Sequence, residues 1–194
     1  MEITTELIKQ LRDETGVSIM QCKKALEEAE GDLEKAKVIL RKHSTSAASK
    51  KSDRALGAGI AAAYTHAGGS VVGAVVMASE TDFVSKNEEF GKLAYEIAMQ
   101  VAAMNPQYKS RKDVGDSELA KLRDVFAKEA VNVPDKARMQ AIEGKIDSYL
   151  KERVLLEQPY VKDPSLTIGE LINSAIQKFG EKIEIVRFER LSVR

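Results

Sequence analysis

The sequence predicts an α+β fold: an N-terminal three-helix bundle, a basic linker, and a small antiparallel sheet of about three strands packed with helices. Three observations carry this. Short helical repeats of apolar residues fill the first segment. RKHSTSAASKKSDR at 41–54 holds no apolar residue larger than alanine. Beyond it, β-branched runs near 71–77 and 183–193 bracket a long stretch of helical periodicity. Boundaries are expected at 1–42, 43–55 and 56–194.

In the first segment Ile3, Leu7, Ile8 and Leu11 recur at helical spacing, with Thr4 or Thr5 as N-cap, and Thr15-Gly16 breaks the pattern. Ser18 and Gln21 form a capping box for a second helix carrying Cys22, Ala25, Leu26 and Ala29. Gly31 ends it, and Asp32 caps a third with Leu33, Ala36, Ile39 and Leu40. So small a bundle sits near the lower limit for an independent fold and leaves little room for a catalytic pocket, so a recognition role is expected. The 41–54 stretch is expected to be a solvated tether, partly helical at its end, with basic residues that equally suit an acidic partner.

GIAAAYTH at 59–66 reads as a strand, Gly68-Gly69 as a turn, and SVVGAVVMASE as a buried strand, together a hairpin. EKIEIVRFERLSV is a third strand whose alternation slips at Ile185-Val186, as at a bulge. Helices fill the interval. Asn87 caps one with Phe90, Leu93, Ala94, Ile97, Ala98, Val101 and Met104 inward, stopped by Asn105-Pro106. Ser117 starts another with Leu119, Leu122, Val125 and Phe126 inward. A longer one over roughly 135–157 carries Met139, Ile142, Ile146, Tyr149, Leu150 and Val154. Thr167 and Glu170 box the last, with Leu171, Ile172, Ala175, Ile176 and Phe179, and Gly180 closes it.

Composition narrows the function. Lys+Arg and Asp+Glu both number 30 in 194 residues, so no general attraction to phosphate backbones exists and no direct nucleic-acid partner is expected. Cys22 is the only cysteine, which excludes an intramolecular disulfide and a cysteine-based zinc site; it is expected as a buried small hydrophobe. The start, MEITTELIKQLRDE, lacks the apolar core of a signal peptide, and no run approaches the roughly 20 apolar residues of a membrane span. A cytoplasmic location follows. Gly57-Ala58-Gly59 lacks the rest of a dinucleotide loop, and no phosphate-loop motif is present. His43 lies in the tether and His66 beside a turn, neither in a metal-ligand pattern. No nucleophile, base and orienting acid fall together, so no catalytic residue, cofactor or metal is expected, and the chain does not read as an enzyme.

One stretch stands apart. ETDFV at 80–84 places Asp82 and Phe83 between a predicted strand and a predicted helix. On a strand period one of the pair faces the core; at a corner the alternation can fail and both point outward. Composition alone favours Phe83 in the core.

Four blocks, in order, resemble the bacterial elongation factor Ts family: LRDETGVSIMQCKKALEEAEGDLEKA near the start, ETDFVSKNEEF at 80–90, LLEQPYVKDPSLTIGELI at 155–172, and GEKIEIVRF at 180–188. The resemblance implies that the first bundle is ubiquitin-associated-like and docks on the GTPase domain of elongation factor Tu through Arg12, Thr15, Gly16 and Val17. It implies that Thr81, Asp82, Phe83 and Val84 form an exposed wedge beside the magnesium and phosphate-binding elements of Tu, which reverses the expectation for Phe83. The implied function is guanine-nucleotide exchange: the chain binds GDP-bound Tu, expels GDP, and leaves nucleotide-free Tu to take GTP, with no covalent chemistry. The chain lacks the duplicated core and coiled-coil insertion of longer members. It resembles the short class with a single core subdomain, for which a homodimer acting on two Tu molecules is implied. The rival expectation is an adaptor without exchange activity, with a helical recognition head and a dimerising α+β domain; an enzyme with a dispersed active site is a more distant third.

Overall fold

The computed structural model describes residues 3–193. Three helices come first, α1 (Thr5–Thr15), α2 (Ile19–Glu28) and α3 (Leu33–Ser49). Each begins on the side chain the sequence offers: Thr4, Ser18 and Asp32 accept from the amides of Leu7, Gln21 and Lys35. Gly16, at φ 66°, ends α1 in the left-handed region. The three helices close over their own core of Leu11, Val17, Cys22, Ala25, Leu26, Ala29, Ala36 and Leu40.

The third helix does not stop where the tether was expected. It runs to Ser49, covering most of the basic stretch, because no glycine or proline interrupts the chain between Asp32 and Gly57. Ser44, in the middle of that stretch, is buried and donates to the Arg41 carbonyl at 2.7 Å.

Strands β1 (Ala58–His66) and β2 (Val71–Ser79) join through a 3-10 turn at Ala67–Gly69, where Gly68 and Gly69 have φ 65° and 99°. With β5 (Ile183–Ser192) they make a three-stranded sheet in the order β1-β2-β5. The Gly57 amide bonds the Ser79 carbonyl and the Val193 amide bonds the Ser70 carbonyl, so both outer strands run antiparallel to β2. Alternating burial along β5 fails at Val186-Arg187, both exposed, one residue beyond the slip read in the sequence.

Between the sheet strands lie α4 (Asp82–Ser85), α5 (Glu88–Met104), α6 (Asp116–Glu129), α7 (Asp135–Arg153) and α8 (Ile168–Phe179). A short antiparallel pair, β3 (Pro159–Tyr160) with β4 (Asp163–Thr167), was not foreseen. Prolines at 159 and 164 hid it, since proline within a run argues against a strand. Helix α6 begins at Asp116 after Gly115, one residue before the expected Ser117, and α7 ends at Arg153, short of 157. Met104, Val125 and Met139, expected inward, are exposed. Helices α6 and α7 bury one narrow stripe, Leu122 with Ile142, Ile146 and Leu150, so flanking positions stay in water. Met104 is the last residue of α5, one turn beyond buried Val101.

The chain divides into two compact units, one comprising 1–61, 76–94 and 169–186, the other 62–75, 95–168 and 187–194. In the first, Phe90 packs edge-on against Phe179, joining α5 to α8. In the second, Gly73 of β2 meets α5 so closely that an added Cβ would lie 2.1 Å from the Ala98 carbonyl oxygen and 2.7 Å from the Ala102 nitrogen. Gln100, fully buried on α5, bonds Gln158, the Pro159 carbonyl and the Val161 amide, which fixes β3. Gly73→Ala is expected to lower unfolding free energy by about 1–3 kcal/mol through overpacking against backbone. Gly144→Ala, in open space within α7, should raise it by about 0.5–1 kcal/mol. Urea titration of both variants checks the opposite signs.

Candidate functional site

The corner between β2 and α5 lies entirely within the first unit. Thr81 is its pivot. The backbone is extended there (φ −126°, ψ 160°), and the next four residues form the single turn of α4. Strand alternation ends at this point. Asp82 and Phe83, the first two residues of the turn, are both exposed, while Val84 and Ser85 are buried. Phe83 is 84% exposed, against 0% for Phe90 seven residues on. The core-plug reading of Phe83 is therefore wrong. Val84, grouped with the wedge in the sequence reading, is instead the apolar foot of the turn.

Hydrogen bonds hold the corner from several directions. The Thr81 amide and hydroxyl both donate to the Glu181 carboxylate, at 3.0 and 2.6 Å. The Thr81 carbonyl accepts from Ser79 Oγ at 2.9 Å and from the Ser85 amide at 3.4 Å. Beside it, Glu80 accepts from the Lys182 amide at 2.5 Å and from Arg54 Nη1 at 3.2 Å. The Lys182 amide, with Arg54 beside it, holds the Glu80 carboxyl below the usual glutamate range. A carboxylate depressed this way stabilises the folded state at neutral pH, and that contribution is lost as pH falls through its lowered value.

Asp82 pairs with Lys86 one turn along, Nζ to Oδ2 at 2.7 Å. This bond keeps the Asp82 carboxyl below the usual aspartate range. Both side chains are largely in water, so the pair adds little to stability. Asp82 thus presents a negative charge at the surface next to an unburied aromatic ring. Little of that ring is covered by the described residues.

The second group of predicted contact residues surrounds the α1–α2 turn. Arg12 and Gly16 are exposed, Thr15 is half-buried, and Val17 is buried in the bundle core. Sequence reasoning missed Ile19 and Met20, 55% and 64% exposed on the first turn of α2. The signal was present: two large apolar residues precede the inward stripe that starts at Cys22. Cys22 is buried and donates from Sγ to the Val17 carbonyl at 3.5 Å, and burial raises its thiol pKa. It is an inert packing residue, as expected.

Beneath this turn a cavity of about 190 Å³ is lined by Thr15, Leu93, Leu171, Ser174, Ala175 and Phe179, with Lys178 and Glu89. The last two are bonded to each other at 2.7 Å, so neither is poised for chemistry. The stem of Lys178 lies over Gly16, where a Cβ would meet its Nζ at 2.8 Å. His43 stands 3.7 Å from Glu28, and His66 bonds the Tyr64 hydroxyl at 3.0 Å; both are exposed. Among the described residues no group of three or more His, Cys, Asp or Glu side chains could hold a metal ion, and no helix is long and apolar enough to cross a membrane.

With this geometry in hand, comparison with known proteins is specific. The family model described as elongation factor TS matches residues 49–194. Elongation factor Ts of Alkaliphilus oremlandii is 44% identical over 195 residues, spanning 100% of this chain and 90% of the relative. That of Coprothermobacter proteolyticus is 44% identical over 192 residues and spans 98% of both chains. That of Thermotoga neapolitana is 42% identical over 193 residues, spanning 100% of this chain and 98% of the relative.

The two phenylalanines make a direct test of the corner. Phe83→Ala should change unfolding free energy by no more than about 0.5 kcal/mol, since the ring is already in water. Phe90→Ala should cost about 3–5 kcal/mol. Chemical denaturation of the two variants measures both.

Proposed function

This chain belongs to the elongation factor Ts family, whose activity is the exchange of GDP for GTP on elongation factor Tu, and we propose that Asp82 and Phe83 are the elements that loosen bound GDP. The observation that carries this reading is the 84% exposure of Phe83 at a corner whose preceding residue, Thr81, is hydrogen-bonded through its amide, hydroxyl and carbonyl. An exposed phenylalanine beside an ionised aspartate suits a partner with an apolar slot near a cationic or metal-bearing site.

The mechanism follows from differential binding. Burying Phe83 in a pocket of Tu contributes about 1.5–3 kcal/mol. Asp82 brings a carboxylate toward the elements that support magnesium, and disturbing them leaves phosphate charge less well neutralised, so GDP leaves faster. For exchange, the chain must bind nucleotide-free Tu more tightly than GDP-bound Tu; linkage then weakens GDP binding by the same factor. GTP binding to the emptied site displaces the chain and completes the cycle. No covalent bond changes.

The helical head, read as a ubiquitin-associated-like bundle, docks on the GTPase domain through the α1–α2 turn. Exposed Arg12 and Gly16 lie there with the apolar pair Ile19 and Met20. Thr15 supports the turn from below, its hydroxyl bonded to the Leu11 carbonyl at 2.7 Å. A homodimer giving a 2:2 complex is the assembly we favour: β5 is an edge strand, with exposed Leu191 near its end and exposed Val193 just beyond it.

Stopped-flow release of fluorescent GDP from elongation factor Tu tests the assignment. Wild type should accelerate release, and Phe83→Ala should lose about 10–100-fold of that acceleration while remaining folded. No acceleration by folded wild type would instead support the adaptor reading. Acceleration unchanged by the substitution would remove Phe83 from the mechanism.

A further inference from the structure

The corner that carries Asp82 and Phe83 is joined to the turn after α8 by a reciprocal pair of carboxylate contacts. Glu181 receives the amide and hydroxyl of Thr81 at 3.0 and 2.6 Å. Glu80, the residue before Thr81, receives the amide of Lys182, the residue after Glu181, at 2.5 Å. Each turn thus ends the other's unpaired backbone donor with a charged acceptor, the strong form of a hydrogen bond. Gly180, at φ 73°, turns the chain out of α8 so that Glu181 and Lys182 face the corner. Arg54, at the end of the segment from the helical head, bonds Glu80 as well, and Lys182 Nζ reaches the Arg54 carbonyl at 3.2 Å.

We propose that Glu181, with Glu80 as its counterpart, is a positioning residue for exchange, holding Thr81 so that Phe83 is presented in its binding orientation before the partner arrives. This rests on the reading of Asp82 and Phe83 given above. The physical need is plain from the length of α4. Four residues cannot sustain a helical turn alone, because nucleation is unfavourable. Val84 and Ser85 anchor the turn below, the Asn87 amide bonds the Val84 carbonyl at 3.0 Å behind it, and Thr81 fixes its leading end. Without Glu181 the Thr81 donors turn to water, the turn pivots on Val84, and Phe83 spends less time in the competent pose. The lost order must then be supplied during binding, which lowers the effect of the wedge on GDP. Glu181 accepts from the Thr81 amide and hydroxyl, so its effect on Phe83 passes through the backbone.

A double-mutant cycle on GDP release from Tu separates this from general loss of stability. Glu181→Ala should lower the maximal accelerated rate about tenfold, with little change in the concentration giving half of it. Glu181→Gln should recover most of the rate, since its amide can accept from the Thr81 N–H and donate to the Thr81 hydroxyl. On a Phe83→Ala background, Glu181→Ala should add nothing. Full additivity, or a wild-type rate for Glu181→Ala, overturns the positioning role. If Glu181→Ala does not fold, Thr81→Val, which keeps the amide contact and loses the hydroxyl one, carries the same cycle with an intermediate loss. A Phe83→Ala rate equal to wild type overturns the wedge reading itself, and is distinguishable because it appears without any Glu181 change.

Discussion

A single helical turn cannot by itself hold a phenylalanine out in water in one orientation. Everything near residues 80–86 answers that constraint. Thr81 has its amide, hydroxyl and carbonyl all engaged, and Val84 is the buried foot of the turn. The acidic residues on either side of the corner satisfy donors that would otherwise be left at the ends of β2 and α8. The result is a hydrogen-bonded mount that leaves the Phe83 ring 84% exposed, and that ring is the group we propose to act on the partner. In the exchange we propose, a partner meets Phe83 already positioned, and the free energy of burying it is not spent on fixing it.

The scaffold serves this mount by bringing chain segments close. Gly57 enters β1 with its amide on the Ser79 carbonyl, and a Cβ there would meet the Glu80 carbonyl oxygen at 2.9 Å. Gly59 lies as near to the Met77 carbonyl, where a Cβ would sit at 2.5 Å. Only glycine permits so tight a junction between β1 and the end of β2, beside the corner. Phe90, the third residue of the next helix after its Asn87 cap, is buried against Phe179 and fixes the start of α5 where α4 hands over to it. Polar contacts fix orientation here, and apolar burial supplies the stability on which they stand.

Much of this was legible in the sequence, for reasons that are local. Caps at Thr4, Ser18, Asp32 and Asn87, and the glycine stops at 16 and 180, are signals within a few residues of the structure they cause. Phe83 was not legible from periodicity, because the strand rule ends at Thr81 and the helix rule has barely begun; only the likeness of ETDFV to a known family pointed outward. Glu181 carries no local mark of its role, since its partner lies 100 residues away. The extent of α3 was hidden by composition: serine, threonine and lysine suggest a tether but do not break a helix. Exposed Met139 and Val125 follow from the narrow stripe that α6 and α7 bury, a fact of tertiary packing that a window along the chain cannot contain.

The role proposed for Phe83 is coupling to nucleotide release, and not mere attachment to Tu. The most direct measurement is the equilibrium affinity of wild type and Phe83→Ala for nucleotide-free Tu and for GDP-bound Tu. Linkage requires the ratio of those affinities to equal the factor by which the chain weakens GDP. The substitution should draw the ratio toward one, mainly by weakening binding to nucleotide-free Tu. Equal loss of affinity for both forms, with the ratio unchanged, would contradict it and reduce Phe83 to an anchoring contact.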